Sequence, residues 1–318
     1  YQKKVRTQAV ETLSCRYPLL GMSLMCSWFG FSRQAWYAAI KQMEKNLFEF
    51  DLVIVEIKRI RKRIPGIGSG KLCELIKPFF FSHQLKIGRD KLHQLMKKEG
   101  LLVKRKHYKV VTTQSDHSYK KYPNLIKDFI PTGTEQLWVS DITYIQVGKG
   151  FVYLSLIMDA FSRKIVGWAL QPTLEAKGPV AALKMALKTR KKKTELIHHS
   201  DRGVQYCSWA YVDLIQAAGI KLSMCSSAEP NENSMAERLN RTLKEDFKLE
   251  NGFVSQEVAL KAIPEVIETY NNYLPHASLD YKTPTQCHNS GRVEKLRWYP
   301  YKKIRFSNVV KKQPEKAF

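Results

Sequence analysis

The chain has 318 residues, 44% of them apolar, which is enough for two domains with buried cores. Its 53 Lys and Arg against 29 Asp and Glu give a formal charge of +24. That excess disfavours an ordinary metabolic enzyme and points to a polyanionic partner, most simply nucleic acid. No charge-free apolar run is long enough for a transmembrane helix, so no membrane partner is expected. The six Cys include no C-x-x-C pair, which excludes a zinc finger and gives no disulfide framework, so a reducing cytoplasm is the expected compartment.

The charge is uneven. Residues 1–134 carry 26 basic and 10 acidic side chains, whereas residues 135–250 carry 16 and 13. A DNA-holding front and a middle region with acids to spare are therefore expected. Residues 1–50 form the first segment. Within it Gly30 breaks an apolar run and Ser32 caps the helix that follows, the pattern of a helix-turn-helix or of another αα-hairpin. Arg33 and Gln34 fall in that helix's first turn and are candidate base readers in a major groove. Residues 51–110 form a second helical DNA-binding block, with a basic face at Lys58, Arg59, Arg61, Lys62 and Arg63 and a stop at Pro65-Gly66. The run Lys104, Arg105, Lys106 at its end suits a phosphate backbone. Residues 111–134, polar and with two Pro, read as a linker.

From residue 135 the period changes. EQLWVSDITYIQV alternates and is rich in β-branched and aromatic residues, and FVYLSLIMDAFSRKIVGWAL reads as two strands around a turn at 159–163. A helix, a strand at ELIHHSD, a helix, a strand at IKLSMCS and a helix capped by Asn233 or Ser234 follow. This order predicts an α/β domain with a mixed sheet over 135–290, then a basic tail over 291–318. Three acids fall at useful places: Asp141 in mid-strand, Asp201 at a strand's end and Glu237 in a helix's first turns. An Asp in mid-strand is disfavoured unless paired or metal-bound. Converging carboxylates suit hard divalent cations, and two such ions can serve both the attacking and the leaving oxygen in phosphoryl transfer. Asp159, at a strand end, reads as a turn-holding residue.

Spacing alone is weak evidence, although 35 residues separate Asp201 from Glu237. The surrounding words are specific: WVSDITYI, D-x-x-S-R with IVGW, IHHSDRGVQY and N-x-x-x-E-R-x-N-R-T-L-K. Together they resemble the second-reading-frame transposases of the insertion sequence 3 family, which in turn resemble retroviral integrases. FGFSRQAWY, IPGIGSGKLCELI and YNNYLPHASLDYKTP extend the resemblance over most of the chain. The resemblance implies a ribonuclease H-like mixed-sheet catalytic domain preceded by all-α helix-turn-helix segments. It implies Asp141, Asp201 and Glu237 as catalytic metal ligands for Mg²⁺ or Mn²⁺, two ions in all. Arg241 and Lys244, on the helix face of Glu237, become candidate contacts to DNA ends, and His198 and His199 match the family's pair before the second acid. The implied activity is binding of terminal inverted repeats, cleavage to a 3′-hydroxyl and strand transfer. The implied partners are double-stranded DNA of element ends and target, further copies of the chain on DNA, and a first-reading-frame protein, to which the start at Tyr1 is compatible as a fusion joint. The implied compartment is the bacterial cytoplasm, at the nucleoid when DNA-bound. Two departures stand out: Ala228-Glu229 in place of Gly-Asn, and Leu274 in place of Arg. They leave a second reading open, a decayed transposase acting only as a DNA-binding protein.

Overall fold

A computed structural model describes residues 2–103, 119–191, 194–226 and 230–291. Two compact units emerge. One comprises Tyr1–Lys62 and Ile76–Leu102, the other Arg63–Leu75 and Val103–Phe318. Among the described residues no helix is long and apolar enough to cross a membrane.

The first unit is helical. Helices α1 (Gln2–Arg16), α2 (Met22–Trp28) and the start of α3 (Arg33–Arg63) close on Val10, Met25, Cys26 and Trp36. The Trp36 indole donates to the Thr7 carbonyl at 3.2 Å and locks α3 to α1. Gly30, at φ +74°, makes the turn between α2 and α3, a left-handed conformation that a side chain would strain. The Ser32 hydroxyl then accepts from Ala35 N at 3.2 Å and so caps α3. Helix α3 runs without a break through position 50, so the boundary expected there falls inside one helix of 31 residues. Nothing in residues 44–54 terminates a helix: the stretch lacks Pro and Gly and is rich in good helix formers. The end of α3 buries Val53, Glu56, Ile57 and Ile60, one helix face. The second half of α4 (Ser69–Ser82) and all of α5 (Arg89–Lys98) complete this unit.

Residues 63–75 belong to the second unit, although the sequence reads as one helical block there. Gly66 N donates to the Asp246 carbonyl at 2.7 Å, and the Lys71 ammonium pairs with the Asp246 carboxylate at 2.6 Å. A Cβ at Gly66 would stand 1.9 Å from the Glu245 carbonyl oxygen, so only glycine allows this approach.

The second unit is built on a five-stranded sheet in the order β3-β2-β1-β4-β5. Strands β1 (Leu137–Val147), β2 (Gly150–Asp159) and β3 (Ile165–Gln171) form an antiparallel meander. Strands β4 (Ile197–Ser200) and β5 (Lys221–Met224) run parallel to β1. Helices α6 (Lys177–Thr189) and α7 (Trp209–Ala217) make the crossovers. They cover one face through Ala182, Leu183, Ala186, Tyr211, Val212 and Ile215, packed on Trp138, Ile157 and Ala169. Helix α8 (Ser234–Asp246) carries the buried residues Ala236, Leu239 and Leu243 and packs on β1; α9 (Gln256–Asn272) and α10 (Pro284–Ser290) follow. This is the ribonuclease H-like mixed sheet that the element order predicts.

The cap of α8 departs from expectation. Asn233 occupies the N-cap position but makes no capping bond; its amide donates instead to the Ser140 carbonyl at 3.0 Å. A cap side chain is worth about 1 kcal/mol to a helix, so a longer-range contact has displaced a local one. At the other end of the chain, Leu274 is fully buried, so this position takes part in packing. Lys104, Arg105, Lys106, Ala228, Glu229 and the tail from 292 lie outside the described residues.

Helix and sheet approach closely at Gly167, where a Cβ would lie 2.1 Å from the Ala182 carbonyl oxygen in α6. Gly167→Ala is therefore expected to lower stability by about 1–3 kcal/mol, read as a reduced denaturation midpoint with an unchanged slope. An unchanged midpoint would contradict this packing.

Candidate active site

The site is assembled by strand pairing. Strands β1 and β4 pair in parallel at Leu137↔Ile197, Trp138↔His198 and Val139↔His199. Two residues further along each lie Asp141 and Asp201, so the register brings one carboxylate beside the other. Asp201 follows the end of β4, at the carboxyl end of a parallel strand, where open α/β sheets place ligands. Glu237 sits in the first turn of α8 and is exposed.

Each acid has defined partners. Asp141 accepts from its neighbour Ile142 N at 2.9 Å and from the Asn240 side-chain amide at 2.7 Å. Asp201 accepts from Gly203 N at 3.0 Å. Burial, then the charges of Asp201 and Glu237, push the Asp141 carboxyl up to about 7; Ile142 N–H and the Lys244 charge oppose them. Burial also raises Asp201, against the Gly203 N–H, and raises Glu237, against the Arg241 charge. Lys244 is lowered by burial and held up by Asp141. Asp141 therefore lies within electrostatic reach of Asp201, Glu237 and Lys244, and Glu237 within reach of Arg241. Among the described residues no three His, Cys, Asp or Glu side chains close around a single point as a ready metal cage.

The donor set nonetheless fits a hard divalent cation. Two neighbouring carboxylates supply anionic oxygens, and the Asp141 charge is opposed only by the Lys244 charge and neutral donors. A dication bound there would supply the missing compensation.

Other acids and bases of the motif words serve the framework. Asp159 is fully buried; one oxygen accepts from Ser162 N and Oγ at 2.8 and 2.7 Å, the other from Glu135 N at 2.7 Å. It ties the turn after β2 to the entry of β1, as its place at a strand end suggests. His198 and His199 are fully buried because β4 is an interior strand. His198 Nε2 bonds the Tyr211 hydroxyl at 2.9 Å, and His199 Nδ1 the Ser223 hydroxyl at 2.9 Å. Burial takes them down to about 3 and about 4, so both stay neutral and neither offsets the carboxylates. In the other unit, Arg33 and Gln34 are exposed on the first turn of α3. Sequence reading overlooked Asn240. Its signal was present: it lies three residues after Glu237, on the same helix side.

The Asp141 shift has a signed consequence. With a folded value near 7 against an ordinary 3.8, the folded chain holds a proton that the unfolded chain releases, so stability falls as pH rises from about 4 to about 7. In metal-free protein at pH 8, Asp141→Asn is expected to be more stable than the parent by about 2 kcal/mol, allowing for partial exposure, with the gap closing toward pH 4. Thermal melts in chelator across that range check this, and a less stable variant at pH 8 would contradict it.

Comparison with known proteins agrees with this architecture. Two models described as integrase core domain match residues 131–230 and 218–284. The Insertion element IS600 uncharacterized 31 kDa protein of Shigella sonnei is 32% identical over 266 residues, covering 82% of this chain and 96% of that protein. The transposase InsF for insertion sequence IS3A of Escherichia coli (strain K12) is 30% identical over 196 residues, 61% of this chain and 68% of that one. The HTLV-2 integrase catalytic core domain in complex with magnesium superposes with a TM-score of 0.38 and 20% identity, covering 49% of this chain and 97% of that one. Through its integrase core and these relatives, the chain belongs to the insertion sequence 3 family of transposases.

Proposed function

We propose that this protein cuts DNA at the ends of its element and joins the freed 3′-hydroxyls to target DNA, with Asp141, Asp201 and Glu237 as the catalytic metal ligands. The observation that carries the reading is the β1–β4 register, which sets Asp141 beside Asp201 within electrostatic reach of Glu237. Asp141 and Asp201 would hold one Mg²⁺ or Mn²⁺, and Glu237 with one of those two would hold a second. When bound, the ions supply charge that activates the attacking oxygen and stabilises the leaving one.

The chain's own groups do the rest. Asn240 keeps one Asp141 oxygen engaged, and Gly203 N does the same for Asp201, so each carboxylate is oriented before substrate arrives. Arg241 and Lys244, on the face of Glu237, hold phosphates of the DNA end. In the first step a water oxygen bonds the phosphorus at the element's 3′ end and gives up a proton, the P–O3′ bond breaks, and the leaving 3′-oxygen takes up a proton. In the second, that 3′-hydroxyl bonds a target phosphorus while the target's own P–O3′ bond breaks and its oxygen takes up the proton. Both are in-line displacements, and no bond to the protein forms. Arg33 and Gln34 read the terminal repeat as members of a helix-turn-helix, and the Lys104–Lys106 run tracks backbone phosphates. Two DNA ends held together require at least two copies of the chain on DNA, and a first-reading-frame protein is a further partner. The compartment is the bacterial cytoplasm.

The test is joining of a labelled terminal-repeat oligonucleotide to plasmid in Mg²⁺ or Mn²⁺. Glu237→Gln is expected to lose joining by at least about 10²-fold, while keeping DNA binding that weakens steeply with salt. Metal-dependent joining by this variant at the parent rate would reject the assignment. Binding without joining by the parent chain would favour the decayed, binding-only reading.

A further inference from the structure

The three acids ride on three separate segments that repel one another, and bonds through one residue tie these segments together. Ser140 immediately precedes Asp141 and is 1% exposed. Alternation along β1 sends its side chain to the sheet face opposite Asp141. There the hydroxyl donates to the Tyr206 hydroxyl at 2.9 Å. Tyr206 lies five residues after Asp201, in the segment that leaves β4. On the other side, the Ser140 carbonyl accepts from the Asn233 amide at 3.0 Å. Asn233 lies four residues before Glu237, one helical turn away. The chain of contacts continues: the Tyr206 ring meets Tyr211 edge-on at 5.3 Å, and the Tyr211 hydroxyl bonds His198 of β4 at 2.9 Å.

Asn233 carries an additional sign. It stands at the N-cap of α8 without capping it, and its side-chain oxygen is buried with no partner among the described residues. Tyr206, likewise 1% exposed, buries its hydroxyl in the core, where the bond from Ser140 satisfies it.

We propose that Ser140, Tyr206 and Asn233 are positioning residues that hold the Asp141, Asp201 and Glu237 segments together, so that their carboxylates can converge on a divalent cation. The inference rests on the metal-ligand reading of those acids. Loss of either bond lets a segment relax away from its neighbours, so that metal binding must first draw the carboxylates back together. Groups that hydrogen-bond metal ligands typically shift metal affinity about 10–100-fold without touching the metal, and these residues act on the segments that carry the ligands.

Mn²⁺ binding to the full chain, followed by electron paramagnetic resonance titration, tests this without turnover. Tyr206→Phe and Asn233→Ala are each expected to bind Mn²⁺ at least about 10-fold more weakly, with a metal-free melting temperature within a few degrees of the parent. Affinity within twofold of the parent in both variants would overturn the proposal. So would a loss that disappears when the titration is repeated at a temperature where the variant is fully folded, since that is a stability effect alone. Asp141→Asn serves as the control: if it too binds Mn²⁺ like the parent, the metal-ligand assignment has failed rather than the positioning.

Discussion

The parallel pairing of β1 with β4 is the constraint on which the second unit depends. It sets Asp141, within β1, beside Asp201, just past the end of β4, where burial and the neighbouring charges drive Asp141 to about 7. A fold selected only for stability would not keep this pair. The surrounding architecture answers the cost rather than removing it. Backbone N–H groups and the Asn240 amide orient the oxygens, the Lys244 charge acts from α8, and the meander and two crossovers hold the strands in place. The sheet is a frame that keeps like charges close, an arrangement that a bound cation would relieve.

Much of this was legible in the amino-acid order. Alternation in β1, the β-branched and aromatic residues of β2 and β3 and the amphipathic helices are local signals, and the mixed sheet follows from their sequence. Asp141 was conspicuous because an aspartate in mid-strand contradicts local propensity, and such contradictions concentrate at functional sites. Asp159 was separable from the catalytic candidates because its strand-end place suits bonding to turn backbone, which is what it does.

What was not legible is long-range. Asn233 looked like a helix cap, and its position is a cap, but the amide is drawn to a carbonyl in β1 that no local rule reveals. The buried pair His198 and His199 could have steered a carboxylate as far as spacing shows; the interior position of β4 instead keeps both neutral. The segment 63–75 reads as part of a helical block, yet Gly66 and Lys71 dock on the end of α8. Pro65 and Gly66 signalled a break in α3 but not which surface the break would meet. The continuity of α3 through position 50 is the reverse case: the segment boundary expected there had no helix-stopping residue behind it.

The account stands or falls on whether the carboxylates of β1, β4 and α8 hold metal. The direct measurement is a crystal structure of the protein grown with Mn²⁺, with anomalous difference maps recorded at the manganese edge. The account predicts an anomalous peak between the Asp141 and Asp201 carboxylates, with the Glu237 side chain turned toward it, and no such peak in Asp141→Asn crystals. Manganese bound only elsewhere, with Asp141 and Asp201 left apart from it at saturating metal, would contradict it.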